Sequence, residues 1–124
     1  MKLILASSSP RRKVLLKRLD YPFEIIHPKV KESTLSTDIN PKKYCATLAK
    51  MKATYISYNN PNALVIGADT IVVIKNQILN KPIDNKQAEH MLTILSNNTH
   101  QVYTSIYLKG IEKNLRDNYI QMIA

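Results

Sequence analysis

Lys2-Leu3-Ile4-Leu5-Ala6-Ser7-Ser8-Ser9-Pro10-Arg11-Arg12 opens with a short apolar run and turns at once into hydroxyls, a proline and two guanidiniums. Five residues with four apolar side chains read as a buried strand. The serines that follow can cap a helix, and Pro10 suits its first turn because its fixed φ fits and its missing N–H has no partner there. A helix then runs to about Leu19, with Val14, Leu15, Leu16 and Leu19 on its inner face. A strand feeding straight into a helix is the opening of an α/β unit.

The same alternation continues outward. Residues 23–26 form a second short strand, which His27-Pro28 ends, and residues 28–40 are polar and looped. Asn40-Pro41 restarts a helix to about Ser57, whose stripe Cys45, Leu48, Ala49, Ala53, Ile56 has helical spacing. Residues 63–67, Ala-Leu-Val-Ile-Gly, read as a strand buried on both faces, residues 70–75 as a further strand, and Ile78-Leu79 as its hairpin partner through Asn76-Gln77. Asp84 caps a third helix with Ala88, Met91, Leu92 and Leu95 at helical spacing; residues 102–108 read as a strand and 111–123 as a weak terminal helix. The order β, α, β, α, β, β, α, β, α predicts one α/β domain over residues 1–124, a layered mixed β-sheet with flanking helices.

Composition removes several functions. The 124 residues, 44% apolar and 22% charged, suffice for one packed domain and no more. The single cysteine, Cys45, excludes a disulfide framework. No apolar run approaches the roughly 20 residues of a membrane span, and the opening run is shorter than a secretory segment of about 7–15, which predicts a cytoplasmic protein without a membrane partner. Only Gly67 and Gly110 occur, so a glycine-rich phosphate loop is absent. The charge of +9 is uneven: residues 1–62 hold 12 basic and 4 acidic side chains, residues 63–124 hold 6 and 5. A cationic first half attracts polyanions, whether nucleic acid, an anionic membrane or a phosphorylated small molecule.

Four sets of residues could carry chemistry. Ser7, Ser8, Ser9, Arg11 and Arg12 stand at a helix N-terminus, where unpaired N–H groups, hydroxyls and guanidiniums can hold phosphate; an ordinary cap with exposed arginines is equally compatible. Asp69, in Gly67-Ala68-Asp69-Thr70, is placed at a strand end where it can bind a divalent metal or act as a base toward water; the plain alternative is a turn aspartate. Glu32 is a loop carboxylate that could meet Asp69 around a metal, and Lys52 and Lys81 are further cations; each is otherwise a solvated charge. His27, His90 and His100 lack metal-ligand spacing, and Cys45 lies in a core stripe, which speaks against zinc or thiol chemistry.

Together these pieces resemble the Maf family of nucleotide pyrophosphatases. The resemblance rests on Leu5-Ala6-Ser7-Ser8-Ser9-Pro10-Arg11-Arg12, Glu32, Leu48-Ala49 with Lys52-Ala53, Gly67-Ala68-Asp69-Thr70-Ile71-Val72-Val73, Leu79-Asn80-Lys81-Pro82, and Ala88 with Met91-Leu92 and Leu95-Ser96. His100-Gln101-Val102-Tyr103-Thr104 completes a match over residues 3–104, with 111–124 unmatched. It implies a Maf/inosine triphosphate pyrophosphatase-like sheet and a hydrolase that converts a nucleoside triphosphate to the monophosphate and diphosphate, with Mg²⁺ or Mn²⁺, as house-cleaning of nucleotide pools. By position, Ser7, Ser9, Arg11, Arg12, Lys52 and Lys81 hold the phosphates, Asp69 is the general base or metal carboxylate, and Glu32 the second metal carboxylate. Arg11 resembles the subgroup acting on dTTP and UTP.

The chain departs from the family pattern at Lys31, where an Asp is usual, and at Asn80, Asn97 and Ser105, where glycines are usual. A lost glycine predicts a backbone change wherever positive φ was used. Family members also carry a longer C-terminal part, so the resemblance implies a fold incomplete at the C-terminus. Its uncovered sheet edge and helix faces would favour self-association into a homodimer, and hydrolysis would be weak and poorly selective. The alternative is a catalytically impaired nucleotide-binding remnant with a role in septum formation. A basic nucleic-acid-binding module is disfavoured because aromatic interleaving and binding motifs are missing.

Overall fold

The computed structural model describes residues 2–30, 40–79, 84–96, 98–110 and, as backbone alone, 118–123. The opening run forms β1 (Lys2–Ala6), and Pro10 stands in the first turn of α1 (Pro10–Lys17). β2 (Glu24–Ile26) returns parallel to β1, with Ala6 opposite Ile26. α2 (Pro41–Asn59) starts where Asn40 accepts a hydrogen bond from the Lys42 N–H at 2.9 Å. It is followed by β3 (Ala63–Ile74), β4 (Gln77–Leu79), α3 (Asn85–Leu95), β5 (Gln101–Lys109) and β6 (Asn118–Ile123).

The sheet is mixed, as expected. Its order is β2-β1-β3-β5-β6, with β4 also paired to β3. β2, β1 and β3 run parallel, while β4 and β5 are antiparallel to β3 and β6 to β5. The expected stripe of α2 forms the core: Cys45, Leu48, Ala49, Ala53 and Ile56 are buried against Ile4, Ala6, Val65, Ile71, Val73, Tyr103 and Tyr107.

Gly67 makes this packing close. A Cβ there would collide with the Ala49 carbonyl and with Ala53, so only hydrogen lets α2 settle on β3. No glycine among the described residues has positive φ. Gly67 is therefore a packing residue within a strand and makes no turn.

Several expectations need correction. The two strands read at 63–67 and 70–75 are one twelve-residue strand, so Asp69 lies inside β3 and not at its end. The reason is cross-strand pairing: β5 pairs with β3 continuously from Val65 to Val73, and its ladder overrides the local turn signal of Gly-Ala-Asp. The terminal helix is instead β6, with Ile120 opposite Ile106; Tyr119, Ile120 and Ile123 favour extended backbone, and β5 offers a free edge. Residues 111–117 lie outside the described residues. Lastly, α1 has no buried residue, and Val14, Leu15 and Leu19 are 58, 57 and 63% exposed. An apolar stripe marks one side of a helix without ensuring close contact; α1 leaves an open groove of about 580 Å³ lined by Leu5, Leu15, Leu16, Leu19, Ile66 and Ile106.

The hairpin turn falls at Lys75-Asn76, one residue earlier than expected, with φ of 48° and 63°. Both values suit the type I′ turn that matches strand twist. Asp84 caps α3 by accepting from the Gln87 N–H at 2.8 Å. The backbone change expected from Ser105 does not occur, since β5 runs through it in ordinary pairing with Asp69. No helix among the described residues is long and apolar enough to cross a membrane.

Candidate active site

Where β1 leaves the sheet, β3 loses its neighbour. β1 pairs with β3 only as far as Ala6 opposite Gly67, and β4 takes up the same edge from Val72. Residues 68–71 thus face a notch in the sheet, with backbone groups that need partners. Ser7 emerges from β1 beside that notch and is nearly fully buried.

Arg12 closes the notch. Its Nη1 donates to the Ala68 carbonyl at 3.1 Å and to Ser7 Oγ at 3.4 Å, and its Nη2 donates to Thr70 Oγ1 at 3.1 Å. Thr70 Oγ1 lies 3.1 Å from Thr104 Oγ1 on β5. The planar guanidinium can span these acceptors together, which a lysine cannot. Ser7 Oγ also accepts from the Ser9 N–H at 3.0 Å, whereas Ser9, the residue before α1, makes no capping bond with its own side chain. The serine cap expected at this helix is replaced by a turn that holds Ser7.

On the opposite face of β3, Asp69 meets Lys52. Alternation along the strand puts Gly67 and Asp69 on the α2 side. The close approach at Gly67 brings α2 near enough for Lys52 Nζ to donate to Asp69 Oδ1 at 2.7 Å. Both side chains are largely buried, 13 and 8% exposed. Under the pair, Cys45 Sγ donates to the Asp69 carbonyl at 3.3 Å. Burial pushes the Cys45 thiol above its ordinary value of 9.0; hydrogen bonds with Ser105 pull it partly back, and the Asp69 charge adds to the rise. Ser105, fully buried and directly opposite Asp69, escaped sequence reasoning as a site neighbour because only strand register reveals it.

The two halves share one polar cavity of about 330 Å³, lined by Ser7, Ser8, Arg12, His27, Pro28, Val30 and Lys52. Of the residues expected in the site, the structure brings Ser7, Arg12, Lys52 and Asp69 together. Ser9 and Arg11 line the neighbouring apolar groove, on the other side of Arg12. Glu32 and Lys81 lie outside the described residues. Lys52 had a readable signal: it falls seven residues after Cys45, four after Leu48 and four before Ile56, inside the buried stripe. No group of three or more His, Cys, Asp or Glu side chains among the described residues could hold a metal ion.

The chain is similar to known proteins along most of its length. The family model described as Maf-like protein matches residues 2–122. A dTTP/UTP pyrophosphatase of Bacillus mycoides is 44% identical over 114 residues, covering 92% of this chain and 59% of that protein. One from Carboxydothermus hydrogenoformans is 38% identical over 122 residues, covering 98% of this chain and 64% of that protein. The chain thus spans about three-fifths of the length of these relatives. Among solved structures, a nucleoside-triphosphatase (dITP/XTP pyrophosphatase) from Mycobacterium abscessus superposes with a TM-score of 0.62 at 14% identity, covering 99% of this chain and 71% of that one. The Ham1 protein of Staphylococcus aureus gives 0.58 at 15%, covering 99% and 69%. These two likenesses support the fold expected from the sequence. On the family match over residues 2–122, the chain belongs to the Maf-like protein family.

Proposed function

We propose that this chain hydrolyses a nucleoside triphosphate, of the dTTP or UTP kind acted on by its named relatives, to the monophosphate and diphosphate. One observation carries the reading: the fixed Arg12 fork, the buried Ser7 hydroxyl and Lys52, which is paired with Asp69 just behind it, converge on a single polar cavity at the end of β1. Two permanent cations around a small cavity suit a phosphate chain, and a carboxylate beside them suits a water to be deprotonated.

Each residue then has a task. Arg12 and Ser7 donate to phosphate oxygens from a frame held by the sheet notch. Lys52 neutralises charge that develops on the leaving diphosphate and holds the Asp69 carboxylate in position. Asp69 orients a water and takes its proton as the water oxygen attacks the α-phosphorus and the bond to the bridging oxygen breaks. Lys81, Arg11 and Ser9 belong to the proposed phosphate set by family position, and Glu32 to the metal side.

A divalent ion suits the proposed reaction. Mg²⁺ or Mn²⁺ commonly takes one or two carboxylates and completes its shell with phosphate oxygens and water, so Asp69, with Glu32 by family position, would hold it without a protein cage. When bound, the ion would polarise the phosphate oxygens.

Diphosphate release from a panel of nucleoside triphosphates with Mg²⁺ or Mn²⁺ tests the reading, comparing the chain with Asp69→Asn. The expected result is release that falls at least about 100-fold in the variant, the usual scale for loss of a general base. Equal background in both proteins, with nucleotide still bound, would replace hydrolysis by binding alone.

A further inference from the structure

We propose that Thr104 is a positioning residue of this site: acting through Thr70, it fixes the plane in which Arg12 is presented to the phosphate chain. The proposal rests on the nucleotide reading above. Its own basis is how little else orients this cation. No residue of α1 is buried, so the helix body does little to settle where the end of a long side chain stands. The guanidinium is placed from its far end, by the Ala68 carbonyl, Ser7 Oγ and Thr70 Oγ1.

These three acceptors are not equivalent. The Ala68 carbonyl is fixed by the β3 backbone, and Ser7 Oγ, 3.4 Å from Nη1, also accepts from the Ser9 N–H. Both receive Nη1, so the bond from Nη2 to Thr70 Oγ1 at 3.1 Å is the one that sets the tilt of the planar group. Thr70 is exposed, and its hydroxyl can turn about χ1 unless something holds it. Thr104 does so: it lies directly opposite on β5, with its Oγ1 3.1 Å from that of Thr70. Arg12 uses a lone pair of Thr70 Oγ1 and, as a cation, strengthens the Thr70 O–H as a donor toward Thr104. Neither threonine lines the polar cavity; both line the groove on the other side of Arg12, so they reach the phosphate site through the guanidinium.

The test is calorimetric binding of a non-hydrolysable α,β-imido nucleoside triphosphate with Mg²⁺ to the full chain, Thr104→Val, Thr104→Ser, Thr70→Val and the double valine variant. Valine keeps the shape and suits a strand, so the fold is retained, and serine keeps the hydroxyl. The expected result is affinity about 2- to 5-fold weaker in Thr104→Val, the scale of a cross-strand threonine pair, with Thr104→Ser equal to the parent chain. Thr70→Val loses at least as much, and adding Thr104→Val to it costs nothing further, because the path through Thr70 is already broken. Unchanged affinity in Thr104→Val, an equal loss in Thr104→Ser, or a full additional loss in the double variant overturns the proposal while leaving the nucleotide reading intact. Absence of triphosphate binding by the parent chain overturns both.

Discussion

At the residue scale, the Lys52–Asp69 pair is a largely buried ion pair, and its removal can be read in stability as well as in the proposed chemistry. A buried ion pair gives little net stability, yet removing one partner strands the other charge away from water. Lys52→Met should therefore destabilise the fold by about 3–5 kcal/mol, measured by urea denaturation, and Lys52→Met combined with Asp69→Asn should recover much of that loss. Simple addition of the two single effects would show that the charges do not act on each other. Cys45 beneath the pair gives a pH signature of opposite origin. Its thiol value is raised by burial, so the folded chain keeps a proton that the unfolded chain releases. That contribution is fully present below the unfolded value and is lost as pH rises above about 9 toward the folded one. Cys45→Ala should lose less stability than the parent chain over this alkaline range, and parallel curves would refute the assignment.

At the element scale, β3 carries most of what local patterns left unread. Gly67-Ala68-Asp69 looks like a turn because glycine and aspartate usually punctuate strands, but the pairing of β5 with Val65 to Val73 lies far away in sequence. The stripe of α2, the caps at Asn40 and Asp84, and the β3–β4 hairpin were legible because their causes are local, within four residues of backbone. The motif residues Ser7, Arg12, Lys52 and Asp69 were legible as a set, but the Arg12 bonds to Ala68 and Thr70 and the place of Ser105 depend on strand register. β6 was misread for the same reason, since six residues carry too short a period to separate strand from helix. Gly67→Ala tests the element-level claim. With Ala49 and Ala53 already in contact range of its missing Cβ, the methyl group must lift α2 and should cost about 1–3 kcal/mol while lengthening the Lys52–Asp69 contact. The hairpin predicts the reverse effect: Lys75→Asn with Asn76→Gly supplies the preferred type I′ pair and should raise stability by about 0.5–1 kcal/mol.

At the scale of the whole molecule, the sheet has two unequal faces. The α2 face is a closed core in which Leu48 is 1% exposed, while the α1 face holds the open groove of about 580 Å³ and leaves Leu19 63% exposed. The same substitution should therefore have very different costs on the two sides. Leu48→Ala should lose about 2–5 kcal/mol, the range for emptying a filled core position. Leu19→Ala should change stability by no more than about 0.5 kcal/mol, since little apolar surface leaves water there on folding. Denaturation at several protein concentrations makes the comparison decisive. A large Leu19→Ala cost that grows with concentration would mean that self-association covers the groove in solution, because only an associated state links stability to concentration. A small and concentration-independent cost would leave the polar cavity resting on the α2 face and the Arg12 notch alone, with α1 contributing the arginine and little packing.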